Sequence, residues 1–379
     1  MEKLSKGLAL VQNVEACIPS DECRRCGACI AACPVNAVSL KDYHVKVNGC
    51  TACSERLVGL CVEACPTTAD YDELERQVFG RLRRPGEGFG IYRWVSKAIS
   101  LHPELRKQAY CGGTASALTY AALSSGFVDA AIICSWGDGE PWRPGPRIIR
   151  DPKDVVYGLG SKYFPSPNLR DLGKLGDAER VLFVGLPCHV TAVRKMQYSD
   201  NRVLRNLTKR IRVIIGTFCG IPAMLTAESF AAHITKHKVP LDKITHVTSV
   251  CSSLFQGVRA YRVHTTMGSV DFPVLFLLRD LQKERLRCSE NCFDYSSDLA
   301  DISVGGTIPP ELPLRYISNA LFVRTSVGEE LVELACNSRL LSTRKMGSLF
   351  LRGLRLFPPY WRKRTRYRKY RKERDAEKR

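Results

Sequence analysis

Residues 23–34 read CRRCGACIAACP, and residues 50–66 read CTACSERLVGLCVEACP. Each run contains four cysteines, and proline follows the last cysteine of each run. Two residues between successive cysteines let a tight loop reach three corners of a cube, while the fourth cysteine points to a second cluster. Eight thiolates at these spacings can hold two [4Fe–4S] clusters, so the sequence predicts a protein that transfers single electrons.

The two runs are typical of a two-cluster ferredoxin module, in which each run lends its last cysteine to the other cluster. We therefore expect one cluster to have the ligands Cys23, Cys26, Cys29 and Cys65, and the other Cys50, Cys53, Cys61 and Cys33. Seven residues separate Cys53 from Cys61. We expect this insertion to alter the surroundings of one cluster without removing it.

Zinc sites and disulfides are the alternatives for these cysteines. Zinc ligands usually come as paired two-cysteine knuckles and not as two four-cysteine runs that end in proline. Disulfides fit poorly with an odd total of 17 cysteines and with the residues 1–13, which lack the apolar segment of a secretory signal. Iron–sulfur clusters are therefore the preferred interpretation.

The composition is that of an ordinary globular protein with one unusual end. The chain has 379 residues, 45% of them hydrophobic and 25% charged. From Arg344 onward, 15 Lys/Arg stand against 3 Asp/Glu, which supplies +12 of the net charge of +19. No apolar stretch approaches the ~18 residues of a membrane-spanning helix. The sequence predicts a cytoplasmic protein of a reducing, anaerobic cell. The basic tail is compatible with peripheral attachment to a membrane.

Beyond the cysteine runs, helices and strands are predicted to alternate, which favours an α/β core with a parallel or mixed sheet. Strands are expected at 128–134, 181–184, 211–216, 244–250, 258–264, 302–305 and 320–324, and helices at 114–125, 190–197, 223–236 and 274–282. The fold class is thus α+β/α/β, with a ferredoxin-like domain at 1–75, a linker at 76–107, a large domain at 108–345 and a basic tail at 346–379.

Further cysteines follow strands of the large domain. Cys188 and Cys219 each come just after a predicted strand, and ligands gather at the carboxyl ends of strands in open α/β sheets. Cys288 and Cys292 lie in a polar stretch after a predicted helix. These four cysteines can close a third cluster, although Cys188 and Cys219, taken singly, would each more often be an ordinary buried core thiol.

Four stretches of the large domain read CGGTASAL (111–118, followed by GFVDA at 126–130), GSKYFPSP (160–167), FVGLPCH (183–189) and CFD (292–294, followed by ADISVG at 300–305). In this order they resemble the signatures of the coenzyme F420 hydrogenase/dehydrogenase beta-subunit family, over residues 108–334. The fused ferredoxin module resembles that of members which oxidise reduced F420. The resemblance implies an α/β flavin-binding domain with one FAD, a third [4Fe–4S] cluster and a site for F420.

The resemblance also implies roles for individual residues. Gly112, Gly113 and Thr114 open a helix whose amides can receive a flavin phosphate, or they form an ordinary helix start. Lys162 is expected near the flavin, where it would stabilise negative charge, or else on the surface. Tyr163 is expected to stack on a ring or to pack in the core. His189 is expected to transfer a proton, or to make only local hydrogen bonds.

Two departures from the family pattern concern cysteines. Three residues separate Cys288 from Cys292, where the family usually has two, so the third cluster needs either a looser loop or another ligand, with Cys251 as the substitute. Cys111 replaces a more usual polar residue before the glycine pair. The sequence contains neither G-x-G-x-x-G after a strand nor a G-x-x-x-x-G-K-[ST] motif, so it gives no indication of NAD or nucleoside triphosphate binding.

The predicted function is a flavin and iron–sulfur oxidoreductase that exchanges a hydride with F420 and relays electrons to a partner. Two alternatives stay open: a non-catalytic electron-transfer subunit, and a ferredoxin-linked reductase of another substrate. The tail after Phe350 mixes arginine with aromatic residues. We expect it to dock a redox partner subunit, with a membrane surface or a frayed terminus as alternatives and no nucleic acid as partner.

Overall fold

The core of the protein is an eight-stranded mixed sheet with helices on both faces. The computed structural model describes residues 13–50, 59–109, 111–137, 139–220, 223–252, 258–283, 286–287, 291–306, 318–346, 348–356 and 358–377. The strands in these ranges are β1 Val38–Lys41, β2 His44–Val47, β3 Trp94–Ser100, β4 Ala130–Ser135, β5 Gly145–Ile149, β6 Val181–Gly185, β7 Ile211–Thr217, β8 Ala223–Met224, β9 Ile244–Ser252, β10 Val258–Thr265, β11 Gly268–Pro273, β12 Leu286–Arg287, β13 Ile302–Gly306, β14 Asn319–Val323 and β15 Leu341–Lys345.

The helices of the same ranges are α1 Val14–Cys17, α2 Ala28–Ala32, α3 Leu60–Glu63, α4 Tyr71–Phe79, α5 Pro103–Gln108, α6 Thr114–Ser124, α7 Pro187–Gln197, α8 Arg202–Thr208, α9 Ala227–Lys236, α10 Val274–Asp280, α11 Ser326–Asn337, α12 Ser348–Arg355 and α13 Pro358–Glu377. Short 3₁₀ turns lie at Pro66–Thr68, Pro152–Gly158, Leu172–Lys174 and Leu241–Lys243. None of these helices combines the length and the apolar character needed to cross a membrane.

The strand order of the large sheet is β15-β3-β14-β13-β7-β6-β4-β5. The pairs β13–β7, β7–β6 and β6–β4 are parallel, while β14 is antiparallel to both β13 and β3. Strand β3 therefore runs in the same direction as the four parallel strands. The carboxyl ends of β3, β13, β7, β6 and β4 consequently lie along one edge of the sheet, called here the carboxyl edge.

The central strands form because each has an unbroken apolar run in its middle. Strand β4 reads AAIICS, and Ala130, Ala131 and Ile132 are fully buried between two apolar clusters. Strand β7 is enclosed in the same way at Val213, Ile214 and Ile215. A strand that is apolar on both faces is typical of a sheet covered on both sides by helices. The predicted α/β core with a mixed sheet is confirmed.

A smaller antiparallel sheet, in the order β11-β10-β9, packs beside the main sheet. Its core includes Tyr261 of β10 and Phe230 of α9, which pack against Phe164 and Trp136 from the main sheet's loops. The phenol of Tyr261 accepts a hydrogen bond from the backbone N–H of Tyr163 at 2.9 Å. This small sheet thereby holds the 160–167 segment over the main sheet.

The cysteine-rich module at the amino end packs directly on the large sheet. Ala28, Ala32, Leu60 and Ala64 belong to the same apolar cluster as the strand residues Ala130 and Phe183. Gly27 has a φ of +85°, and a Cβ placed on it would lie 2.8 Å from Arg170 N and from Pro167 O. The module is therefore a fused part of the fold with a closely fitted contact surface.

The expected linker at 76–107 is wrong for most of its length. Helix α4 continues the module to Phe79, whereas Trp94–Ser100 is strand β3 and lies inside the main sheet between β14 and β15. Helix α5 then packs Leu105 into the core. Strand β3 reads WVSKAIS, and its buried positions are Ser96, Ala98 and Ser100. Because these residues are small and two of them are polar, the sequence shows no apolar pattern that predicts this strand.

The basic tail folds as two helices that pack on the rest of the chain. Tyr360, Lys363 and Tyr367 of α13 are buried, and Arg371 pairs with Asp72 of α4. The frayed terminus considered from the sequence is therefore wrong for residues 358–377. Two helix starts also differ from expectation, because α7 begins at Pro187 and α9 at Ala227, after the short strand β8.

Candidate functional site

A first group of four thiols gathers where α2 meets the end of α3. Burial raises the pKa of the Cys26 and Cys29 thiols, and in both cases neighbouring thiols raise it further: Cys188 and Cys65 act on Cys26, and Cys23, Cys65 and Cys61 act on Cys29. Such mutual effects require that the sulfur atoms lie close together. The structure thus brings together Cys23, Cys26, Cys29 and Cys65, the ligand set expected for one cluster.

A second group of thiols neighbours the first around α2 and α3. Cys61 and Cys33 pack in the same small apolar cluster, and the thiol of Cys50 contributes to a raised pKa at Cys61, whose main cause is burial. Cys53, the fourth expected ligand, lies outside the described residues. The groups are neighbours, because Cys61 also acts on Cys29 of the first group.

Backbone amides donate hydrogen bonds to sulfur atoms in both groups. Val14 N lies 3.3 Å from Cys61 Sγ, Arg25 N lies 3.4 Å from Cys23 Sγ, and Ala37 N lies 3.2 Å from Cys33 Sγ. Amide donors of this kind stabilise thiolates and help to set the potential of a bound cluster. The donor set and its amides therefore fit iron–sulfur ligation better than they fit a set of inert core thiols.

A third group lies at the carboxyl edge of the main sheet. Cys188 stands in the first turn of α7 after β6, Cys219 follows β7, and Cys292 comes from the segment before β13. Burial, followed by the thiols of Cys219 and Cys292, raises the pKa of Cys188 to about 12. Cys288 lies outside the described residues, and of Cys251 only the backbone, in β9, is described.

The three groups form one row, called here the thiol row. Cys61 connects the second group to Cys29 of the first, and Cys26 of the first group lies beside Cys188 of the third. Within the described part of the chain, no three His, Cys, Asp or Glu side chains are close enough to hold a single metal ion. A four-iron cube is larger than one ion, so its four thiolates stand farther apart than the ligands of one ion.

Positive side chains approach the thiol row from several elements. Lys363 of α13 donates a hydrogen bond from Nζ to Cys292 Sγ at 3.0 Å, and Arg24 acts electrostatically on Cys188. Lys195 of α7 donates from Nζ to the carbonyl oxygen of Cys65 at 3.0 Å, and burial lowers the pKa of Lys195 to about 8. Cations at these places would offset the negative charge of thiolate-bound clusters.

The glycine pair at the start of α6 lies at the same edge of the sheet. A Cβ on Gly112 would lie 2.6 Å from Asn319 Oδ1 and 2.7 Å from Ala98 O. Thr114 donates from its amide to Asn319 Oδ1 at 3.2 Å and from its hydroxyl to Ala98 O at 3.1 Å. Close packing against β3 and β14 accounts for these residues, so the ordinary helix start is the better supported interpretation, and phosphate binding by Thr114 stays a prediction.

Lys162 is half-buried and its ammonium group contacts backbone. Its Nζ atom lies 3.1–3.2 Å from the carbonyl oxygens of Gly158, Leu159 and Gly160, and 6.0 Å from the ring centre of Trp136. Burial lowers the pKa of Lys162. An ammonium group has three N–H donors, so these bonds account for all of them. The alternative of a solvated surface lysine does not fit this burial, and the three backbone contacts leave no N–H donor for a flavin.

Tyr163 belongs to a polar cluster that joins two of the signature stretches. Burial raises the pKa of the Tyr163 phenol, while the guanidinium of Arg259 next to it lowers it. Arg259, on β10, also donates from Nη2 to Cys111 Sγ at 3.0 Å. The 111–118 and 160–167 stretches are thus connected through one arginine. Sequence reasoning missed Arg259, because nothing local distinguishes it from other arginines on strands.

His189 is buried and both of its ring nitrogens contact backbone. Nδ1 accepts the N–H of Leu186 at 3.1 Å, and Nε2 lies 3.1 Å from Ser166 O. Burial lowers the pKa of His189 to about 4. The ring is therefore neutral and ties the start of α7 to the 160–167 segment. This geometry fits the local role better than proton transfer.

Two family models match most of this domain. The first describes the amino-terminal part of the beta subunit of coenzyme F420 hydrogenase/dehydrogenase and matches residues 95–172. The second describes the carboxyl-terminal part of the same beta subunit and matches residues 178–348. The matched span begins at the second residue of β3, so β3 belongs to the domain on this evidence as well.

Relatives extend the similarity into the cysteine-rich module. The coenzyme F420-dependent sulfite reductase of Methanocaldococcus jannaschii is 26% identical over 354 residues, which is 88% of this chain but 50% of that protein. The chain thus spans half the length of this relative. One of the F420H2 dehydrogenase subunits of Methanosarcina mazei is 27% identical over 336 residues, 83% of this chain and 82% of that protein.

One solved structure has a similar fold. It is a chain of the F420-reducing [NiFe] hydrogenase complex from Methanosarcina barkeri, with a TM-score of 0.57 and 25% sequence identity. The similarity covers 78% of this chain and 96% of that one. The order of the signatures, the fold and both matched models agree. The chain belongs to the coenzyme F420 hydrogenase/dehydrogenase beta-subunit family.

Proposed function

We propose that this chain is a redox subunit that exchanges a hydride with coenzyme F420 and passes single electrons to a partner. Family membership and the names of the relatives support the F420 part. The thiol row carries the electron-transfer part, because three groups of cysteines from five segments of the chain lie next to one another. Thiols that only filled space in separate parts of the core would not need to lie next to one another in this way.

The ligands that we propose are those expected from the sequence. Cys23, Cys26, Cys29 and Cys65 would hold one cluster, Cys33, Cys50, Cys53 and Cys61 a second, and Cys188, Cys219, Cys292 and Cys288 or Cys251 a third. When bound, a cluster takes one electron at a time, F420 exchanges a hydride, and FAD can do both. The buried thiols need a bound metal to stay deprotonated at neutral pH, because their pKa values are raised.

The side of the site that would take FAD and F420 lies at the carboxyl edge near the start of α6. Between β3, where that helix start packs, and β7, which precedes Cys219, there are three strand spacings, or roughly 14 Å. Arg259 and Tyr163 are the groups there that we propose to contact a flavin or deazaflavin, since arginine suits phosphate and carboxylate recognition. Lys162 and His189 would shape the 158–167 segment and not touch the reacting atoms.

We expect a partner that accepts the electrons from the thiol row. The relatives named as dehydrogenase and hydrogenase subunits support a complex. One face of α13 packs on this chain, so the expected contact through the tail is limited to its opposite face, where Arg362, Arg368, Lys369 and Lys372 are exposed. That face suits an acidic partner.

Anaerobically purified protein tests the proposal. Three clusters require about twelve iron atoms per chain, and mixing with reduced F420 in a stopped-flow spectrometer should bleach the flavin and then the cluster absorbance. No bleaching in a protein with full iron and flavin content would reject the F420 reaction. It would favour the second candidate, an electron-transfer subunit without its own F420 site. The backbone contacts of Lys162 and His189 favour this candidate, because they engage the two groups expected to act in catalysis.

A further inference from the structure

Helix α13 has two different faces. Tyr360, Lys363 and Tyr367 recur every three or four residues and are 6–7% exposed, so they lie on one face of the helix. Trp361 on the other side is 48% exposed, and the side chain of Lys369 is 76% exposed. The helix thus presents aromatic rings and selected cations inward, although its sequence contains few aliphatic residues.

The inner face covers the segment that carries Cys292. The ring of Phe293 packs against Tyr367 at 5.4 Å and Tyr370 at 4.8 Å between ring centres. Arg366 donates from Nη1 to the carbonyl oxygen of Cys292 at 3.3 Å. Ion pairs from Arg371 and Arg374 to the carboxylates of Asp72 and Asp70 hold the helix against the cysteine-rich module.

One cation of this helix, Lys363, contacts a thiol directly. Its Nζ atom lies 3.0 Å from Cys292 Sγ and 2.7 Å from the carbonyl oxygen of Asp294. Its charge also acts on Cys188. A buried ammonium group is costly unless a negative charge faces it. A cluster bound by thiolates provides such a charge, and more of it after reduction.

We propose that Lys363 raises the reduction potential of the cluster held by Cys188, Cys219 and Cys292, and that α13 shields this cluster from water. The inference rests on the proposed function, which assigns a cluster to these cysteines. Reduction adds one electron and no atoms, so the reduced cluster is more negative and gains more from the ammonium group. Charge, hydrogen bonds to sulfur and solvent exposure are the factors that set cluster potentials. Lys363 lies beyond residue 348, where the matched family models end.

The test is a redox titration of the full-length holoprotein followed by electron paramagnetic resonance. The signal of the third cluster is identified as the one lost in Cys188→Ser. In Lys363→Met this signal should appear at a more negative potential, with a change in the reduction equilibrium of about tenfold, which for one electron is about 59 mV. Lys363→Gln, which keeps a donor without charge, should give a smaller shift, and Lys363→Arg should stay close to the wild type.

Lys369→Met is the matched control, since it removes the same charge from the exposed side of the same helix. An unchanged potential in Lys363→Met with full iron content would overturn this inference and leave the proposed function standing. An equal shift of the potential in Lys369→Met would do the same. If Lys363→Met loses iron, the comparison moves to the other two variants. Equal cluster potentials in Lys363→Gln and Lys363→Arg would then overturn the inference. About eight iron atoms in the wild type would instead overturn the third cluster in the proposed function, and this inference with it.

Discussion

Arg259 connects two stretches of the chain that are distant in sequence, since Cys111 lies 148 residues away and Tyr163 lies 96 residues away. It donates to Cys111 Sγ at 3.0 Å and approaches the phenol of Tyr163, which are members of two separate family signatures. The planar guanidinium can bind phosphate or carboxylate with two parallel hydrogen bonds, which lysine cannot do. Arg259 is therefore the residue at which the proposed F420 and flavin site is most directly tested.

Arg259→Lys should weaken flavin or F420 binding by about tenfold or more, because a charge-assisted hydrogen bond contributes roughly 1.5–3 kcal/mol. Flavin content and the KM for F420 are the measurements. Arg262→Lys is the control, because Arg262 lies on the same strand and pairs with Asp271 at 2.6 Å. Normal flavin content and an unchanged KM in Arg259→Lys would remove this arginine from the proposed site.

Single residues also show where sequence reasoning reaches its limit. The spacing of Cys23, Cys26 and Cys29 restricts the local geometry so strongly that their grouping could be predicted. Lys162 and His189 carry chemistry that suits a redox site, yet backbone carbonyls and an amide engage them. Which partner a polar side chain meets depends on segments far away in sequence. Residue type and motif position therefore predict where these two residues lie better than what they do.

At the scale of elements, a buried ionic network fixes the segment between Cys292 and β13. Arg83, after α4, pairs with Glu75 and lies 2.7 Å from Asp298, and Arg324 at the end of β14 lies 3.5 Å from the same carboxyl group. All four side chains are at most 7% exposed. This network joins α4 of the cysteine-rich module to the main sheet.

Asp298→Asn should lower the free energy of unfolding by about 3–5 kcal/mol, because it leaves two buried guanidinium groups without their shared carboxylate. Urea unfolding of the holoprotein followed by circular dichroism measures the change. Asp177→Asn is the control, since the Asp177 side chain is 91% exposed in its pair with Arg150 and should change little. Equal stability of the two variants would show that the network contributes nothing.

The difference in unfolding free energy between wild type and Asp298→Asn should depend on pH. Burial alone would raise the pKa of Asp298, but Arg83 and Arg324 beside it hold the pKa below its ordinary value. A carboxyl group with a lowered pKa stabilises the fold above its unfolded pKa of about 3.9 and stops doing so as the pH falls through the folded pKa. The stability gap between wild type and Asp298→Asn should thus shrink as the pH falls below about 4.

The elements differ in how far the sequence could predict them. Strands β4 and β7 each contain an unbroken apolar run, AAIIC and VII, and their positions agree with the sequence prediction within two residues. Strand β15 reads LSTRK with only Leu341 buried, and it is a strand because it pairs with β3. Helix α13 has no aliphatic stripe, and its packing depends on rings and arginines that meet acidic residues of α4. The local pattern of apolar residues therefore predicts an element only where that element buries an apolar face of its own.

For the whole molecule, the close fit of the module to the sheet determines whether the thiol row is continuous. Leu169 N donates to Cys26 O at 3.0 Å, and Gly27 beside it faces the backbone of Pro167 and Arg170. Cys26 and Cys188 lie together only because this contact surface is closed. A free ferredoxin domain on a linker would not keep two cluster sites at a fixed separation.

Gly27→Ala should therefore disturb the docking of the module. The new methyl group would lie 2.8 Å from two backbone atoms, in addition to the strain of a residue with φ of +85°. Gly49→Ala is the matched control, because Gly49 also has a positive φ, of +64°, and also lies next to a cysteine, but has no atom within 4 Å of the new Cβ. Both variants carry a backbone strain of about 1–2 kcal/mol. We expect only Gly27→Ala to weaken the magnetic coupling between the first and third clusters and to expose residues 80–93 to limited proteolysis. If the two variants behave alike, local strain explains the effect and docking through Gly27 is rejected.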